Sequence, residues 1–156
     1  MDYPTDDETA LWIALNLTQR TIYQAIDAAL KAKDLPPLRW YDVLWAIESA
    51  EGDGCRAYEL ENLLLFEQSN LSRLLRRMVD EGLISEKVFE EDRRGKILRI
   101  TSKGRRARKR MWKIYGPLLH SYMNRLAKAD DPRELAAALE RLMGRVERAE
   151  LELLRS

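Results

Sequence analysis

The side chains in this sequence best suited to chemistry are cations and amides gathered in one stretch. Gln68, Ser69, Asn70, Ser72, Arg73, Arg76 and Arg77 lie close together, and a tight charged segment, Asp92-Arg93-Arg94-Gly95-Lys96, follows. Arginine presents a planar fork of donors that fits guanine edges or a narrow, electronegative minor groove, and glutamine or asparagine can pair bidentately with adenine. Charge is distributed to match. Gln68 to Arg110 holds 14 Lys or Arg against 6 Asp or Glu, while the remainder holds 13 against 20, so the net +1 of the chain conceals +8 on one stretch and −7 elsewhere. Arg76, Arg77, Lys96, Lys103, Arg105 and Arg106 suit phosphate neutralisation, which adds affinity without reading sequence.

Other chemistries find few residues to carry them. Cys55 is the single cysteine and His120 the single histidine, so neither an internal disulfide nor a zinc site is expected. With no glycine-rich phosphate loop and one histidine to act as a base, no enzymatic role and no cofactor are expected. Cys55 reads as a structural cysteine, with a thiol redox sensor as the alternative. His120, beside Leu118, Leu119 and Tyr122, reads as a packed interface histidine.

Positioning those cations requires a mostly helical scaffold. The 156 residues, 46% hydrophobic and 34% charged, suit one soluble domain, and no apolar run approaches the roughly 20 residues of a membrane span. Acids near Met1 stand where a secretory signal would carry Lys or Arg, so a cytoplasmic location is expected. A first helix, capped by Asp6 or Asp7, carries Leu11, Trp12, Leu15, Ile22, Ile26 and Leu30 at helical spacing and ends near Pro36-Pro37. A second spans about 38–50, and a short third about 57–65. The fourth, about 68–81, sets Leu71, Leu74, Leu75, Met78 and Val79 on one face with Ser69, Arg73, Arg76 and Asp80 opposite, and stops at Gly82. Segments 84–89 and 96–100 flank the charged turn as a β-hairpin. Thr101 caps a fifth helix reaching about 128 and containing Gly116-Pro117; Asp131-Pro132-Arg133-Glu134 opens a sixth. In that last helix Leu135, Leu139, Leu142, Val146, Ala149 and Leu153 alternate steps of four and three, the seam of a helix that packs on another helix.

Helix, basic amphipathic helix, hairpin and capped helix in that order describe a winged helix-turn-helix. Asp92-x-Arg94-Gly95 followed by Ile100-Thr101-x-x-Gly104, with Leu71-Ser72-Arg73-Leu74 leading to Glu81-Gly82-Leu83, resembles the MarR family of bacterial transcription regulators. The fold expected is therefore mainly α with a small β-hairpin wing: one chain over 1–156, a winged DNA-binding region over 38–100, and a helical dimerisation region over 5–35 and 101–154. The resemblance implies a homodimer on a pseudo-palindromic operator, held by the first, fifth and sixth helices; Leu11, Leu15, Leu119, Leu135, Leu139, Leu142, Val146 and Leu153 are its candidate interface residues. It places Gln68, Ser69, Asn70 and Arg73 against base edges or phosphates in the major groove, and Arg94 in the minor groove with Asp92 holding its guanidinium. Two departures from the family pattern stand near the basic helix: Glu67, in a Leu65-Phe66-Glu67 link without glycine, and Glu61.

The resemblance also implies a small aromatic or phenolic effector where the first, second and fifth helices meet. Trp12, Trp40, Tyr41, Trp45, Trp112 and Tyr115 are expected to converge there, as core or as lining of that site. The function expected is a sequence-specific double-stranded-DNA-binding regulator, a repressor released by its effector. A winged-helix dimer that binds a protein partner is the alternative.

Overall fold

The computed structural model describes residues 3–50, 54–60, 62–65, 70–87, 96–126 and 130–153, with side chains described as far as Gly144. The element order is α1 (Asp6–Lys31), α2 (Leu38–Ser49), β1 (Cys55–Arg56), α3 (Ala57–Leu60), α4 (Leu71–Asp80), β2 (Ile84–Lys87), β3 (Ile97–Ile100), α5 (Ser102–Leu126) and α6 (Pro132–Leu153). The chain packs as two compact units, Met1–Gly116 and Pro117–Ser156. The division falls within the Gly116-Pro117 pair, where the proline lacks a backbone donor.

Thr5, not Asp6 or Asp7, caps α1. Its hydroxyl accepts the Glu8 N–H at 3.2 Å while the Glu8 carboxylate accepts the Thr5 N–H at 2.7 Å, a capping box. Those bonds hold the Glu8 carboxyl below its ordinary value, and Asp6 and Asp7 stay in the first turn, where acids complement the helix dipole. At the start of α2, Pro37 supplies no side-chain cap. Asp27 of α1 supplies one from a distance, accepting the Leu38 N–H at 2.7 Å.

Two expected helices are shorter than their sequence patterns. α3 stops at Leu60 instead of running to Leu65. The turn that follows uses i−3 bonds, Asn62 to Glu59 and Leu63 to Leu60, and the Leu65 N–H donates to the buried Asp42 carboxylate instead of to a carbonyl one turn back. α4 begins at Leu71, because Asn70 has the left-handed backbone φ 63°, ψ 40°, which a right-handed helix cannot include. Its apolar and polar faces separate as the spacing requires, with Leu71, Leu74, Leu75 and Met78 buried and Ser72, Arg73, Arg76 and Asp80 exposed.

Gly82 ends α4 at φ 69°. The Gly82 N–H donates to Val79 and the Leu83 N–H to Met78, a Schellman closure with Leu83 and Met78 both buried. β3 is the centre of a three-stranded antiparallel sheet ordered β1-β3-β2, in register Ile84 to Ile100 on one side and Cys55 to Leu98 on the other. The expected hairpin strands are its two longer members; β1, two residues long, gives too little alternation to read from sequence.

The Ile100-Thr101-x-x-Gly104 motif welds this sheet to α5. Thr101 Oγ1 accepts the Gly104 N–H at 3.0 Å, as an N-cap does, and donates to the Gly82 carbonyl at 2.7 Å. A Cβ on Gly104 would lie 2.1 Å from the Leu83 carbonyl oxygen, so only glycine lets the helix approach this closely. One buried cluster then joins α2 (Trp40, Val43, Leu44, Ile47), α4 (Leu74, Leu75, Met78) and the sheet (Ile84, Leu98, Ile100).

In the second unit Asp131 Oδ1 accepts the Arg133 N–H at 2.9 Å, with Pro132 at the first helical position of α6. Leu135, Leu139, Leu142 and Met143 are exposed on that helix. The side chains of Val146 and Leu153 lie outside the described residues.

Candidate nucleic-acid interface

α4 is positioned by its buried face, and its free face is cationic. Arg73, Arg76 and Arg77 project with Ser72 away from the core, and Asn70 stands exposed at the helix start. A groove of about 680 Å³ separates this face from the sheet, lined by Ser72, Arg73, Arg76, Asp80, Glu86 and Lys96. At its far wall Lys96 Nζ meets the Glu86 carboxylate at 2.7 Å, across the base of the hairpin. Arg77 differs from its neighbours, because its guanidinium carbon sits 5.7 Å from the centre of the buried Trp40 ring. It therefore braces α4 against α2 as well as adding charge.

Of the expected contact residues, the structure brings together Asn70, Ser72, Arg73, Arg76, Arg77 and Lys96 on the α4 face and groove. Gln68, Ser69, Asp92, Arg93 and Arg94 lie outside the described residues, as do Glu61 and Glu67. Lys103 turns back on the fold and donates to the Glu81 carbonyl at 2.6 Å. Arg105 pairs with Glu48 of α2 at 3.4 Å, and Arg106 is exposed.

The six aromatic residues expected at one junction separate. Tyr41, Trp112 and Tyr115 do meet: Tyr41 stacks on Trp112 with centroids 5.9 Å apart, and Tyr115 stands edge-on to both at 5.1 and 5.3 Å. Trp40, on another side of α2, belongs to the core beneath α4. Trp12 and Trp45 are exposed, Trp12 at 67%. Burial raises the phenol pKa of Tyr41 and of Tyr115. Arg108 joins the trio, donating to the Tyr41 hydroxyl at 3.3 Å while its Nε pairs with Glu48.

Cys55 is buried at 1% exposure on β1, and burial pushes its thiol pKa up, with the charge of Glu59 adding to the shift. A redox sensor needs an accessible thiolate, and this site supplies the reverse. His120, expected to be packed, is exposed on the protomer. Three acids matter more than sequence reading allowed: Asp27, Asp42 and Glu48. Asp42 alone had a signal, a carboxylate at an inward phase of the otherwise apolar Trp40-Tyr41-Asp42-Val43-Leu44 run.

A three-stranded sheet closing over a basic helix, with a long helix welded behind it, defines a winged helix-turn-helix protein. A sequence model of the MarR family matches residues 33–95, which takes in α2, β1, α3, α4 and β2. Solved structures extend the likeness over nearly the whole chain. AbsC, a MarR family transcriptional regulator from Streptomyces coelicolor, superposes with a TM-score of 0.76 at 21% identity, covering 96% of this chain and 99% of that one. A second MarR family regulator from the same organism, solved in complex with DNA, gives 0.76 at 18% identity over 96% and 91%. A mutant MarR from E. coli complexed with operator DNA gives 0.67 at 21% over 93% and 99%. Over residues 33–95 the chain is similar to the MarR family in sequence, and it shares the fold of these regulators. A comparison with curated proteins by sequence finds no match.

Proposed function

We propose that this protein is a transcriptional regulator that binds double-stranded DNA as a homodimer. The observation that carries the reading is the exposed Ser72-Arg73-Arg76 face of α4, backed by a sealed core and set in the stretch that concentrates a charge of +8. A rigid basic helix of this kind fits the major groove, with phosphate contacts from the flanking cations. Two relatives of the same fold were solved on DNA, which supports the reading. Arg94 and Asp92 at the hairpin tip are the proposed minor-groove pair.

Self-association follows from the apolar faces of α1 and α6, where Leu11, Trp12, Leu135, Leu139 and Leu142 are exposed on the protomer. Two copies related by a twofold axis would present two α4 helices to grooves roughly 34 Å apart. The Tyr41-Trp112-Tyr115 trio is the proposed seat of response to an aromatic effector, whose binding would respace the two helices and release a repressor from its operator.

Selection of bound sites from a random duplex library tests the reading. A palindromic consensus with half-sites about one helical turn apart is the expected result; enrichment of no sequence, or of a single asymmetric half-site, contradicts it.

A further inference from the structure

Among the described residues Asp42 is the one charged side chain in the buried core, at 1% exposure in the middle of α2. A carboxylate taken out of water is costly unless hydrogen bonds replace its hydration. One replacement crosses 23 residues of sequence: Asp42 Oδ1 accepts the backbone N–H of Leu65 at 3.0 Å. Burial first, and the Asp42 charge as a smaller cause, raise the phenol pKa of Tyr23 on α1 and of Tyr115 on α5; around Tyr23, Asp27 adds to the rise and Arg39 opposes it. Three helices and one backbone amide thus converge on a single carboxylate.

The amide it holds lies between two helices. α3 has ended at Leu60, and α4 does not begin until Leu71. Leu64 packs against the edge of the core, but the Leu65 side chain is 66% exposed and gains nothing from burial. A buried acceptor of fixed position does for this backbone what a helix would otherwise do.

We propose that Asp42 is a positioning residue for α4: by anchoring the Leu65 amide it acts with the buried face of that helix to set the angle at which the Arg73-Arg76 face is presented. The proposal rests on the reading of α4 as the DNA-contacting helix. It assigns Asp42 no contact with DNA. Its action passes through the hydrogen bond to the Leu65 amide, for which an accepting oxygen is needed and a negative charge is not.

The test compares Asp42→Asn and Asp42→Ala in the full chain, with amide hydrogen exchange read by NMR and affinity read on a duplex selected by the unaltered protein. Asp42→Asn keeps an accepting oxygen, so the Leu65 amide stays protected and affinity stays within about threefold. Asp42→Ala frees that amide, whose exchange quickens at least tenfold relative to the Leu44 amide of α2, and affinity drops by about tenfold or more. The proposal is overturned if Asp42→Ala leaves Leu65 protected or affinity unchanged, or if Asp42→Asn loses both as fully as Asp42→Ala does. Should the alanine variant fail to fold, the asparagine variant decides alone, by retention or loss of Leu65 protection. If the unaltered chain selects no duplex, the regulator reading fails, while the exchange data still decide whether Asp42 holds the link.

Discussion

The core beneath α4 and the N-terminal half of α1 draw on similarly apolar sequence and end in opposite conditions. Around Leu44, Met78 and Leu98 the side chains are fully buried within one protomer. Along α1, Leu11, Trp12, Ile13 and Leu17 are each between 46% and 67% exposed, and α6 repeats the pattern with Leu139, Leu142 and Met143. Apolar faces of that size on two long helices are stable in water when a second surface covers them. The difference separates two jobs: the sealed part backs a basic helix, and the open part is the surface proposed to meet a second copy.

Breaking the sealed side should have the largest effect. Met78→Ala leaves a cavity against α2 and the sheet and is expected to cost about 2–5 kcal/mol in thermal or denaturant unfolding. On the open side, Leu139→Glu would bury a carboxylate against the partner copy and weaken the dimer by roughly 3 kcal/mol or more, with α4 and the sheet intact. Sedimentation velocity would then show a monomer whose circular dichroism is unchanged; a variant that remained dimeric would remove α6 from the interface. Arg73→Ala, on the exposed face of α4, should weaken duplex binding by about 1–3 kcal/mol without altering dimerisation or unfolding temperature.

Smaller effects sharpen the same contrast. Cys55 sits on the sealed side with its thiol pKa raised, so it should react with Ellman's reagent far more slowly in the native chain than in urea. The folded thiol holds its proton to higher pH than the unfolded one. Its contribution to stability is therefore complete below the ordinary thiol value of about 8.5 and is lost as pH climbs from there through the higher folded value. Equal labelling rates would contradict its burial. The least change is expected from Glu86→Gln, which breaks an exposed pair with Lys96 worth about 0–1 kcal/mol.

The amphipathic helices were legible because burial imposes a period on the sequence. Leu71, Leu74, Leu75 and Met78 recur with the helical repeat, and Gly82 and Thr101 mark ends that backbone geometry dictates. What escaped reading depends on distant partners. Asp27 caps α2 from another helix, Asp42 holds the Leu65 amide across 23 residues, and the left-handed Asn70 shortens α4 at a position that helical spacing admits. The aromatic residues show the same limit. Tyr41 and Trp40 are neighbours in sequence, yet one faces Trp112 and the other the core beneath α4, because adjacent helical residues point about 100° apart.

The central claim, that the basic face of α4 grips a duplex through its phosphates as well as its bases, is tested most directly by the salt dependence of binding to the selected operator. Plotted as logarithms between about 50 and 200 mM salt, affinity should fall steeply and linearly, losing on the order of a thousandfold as a dimer releases several counterions. A flat response, or binding that persists unchanged at the higher salt, would contradict it.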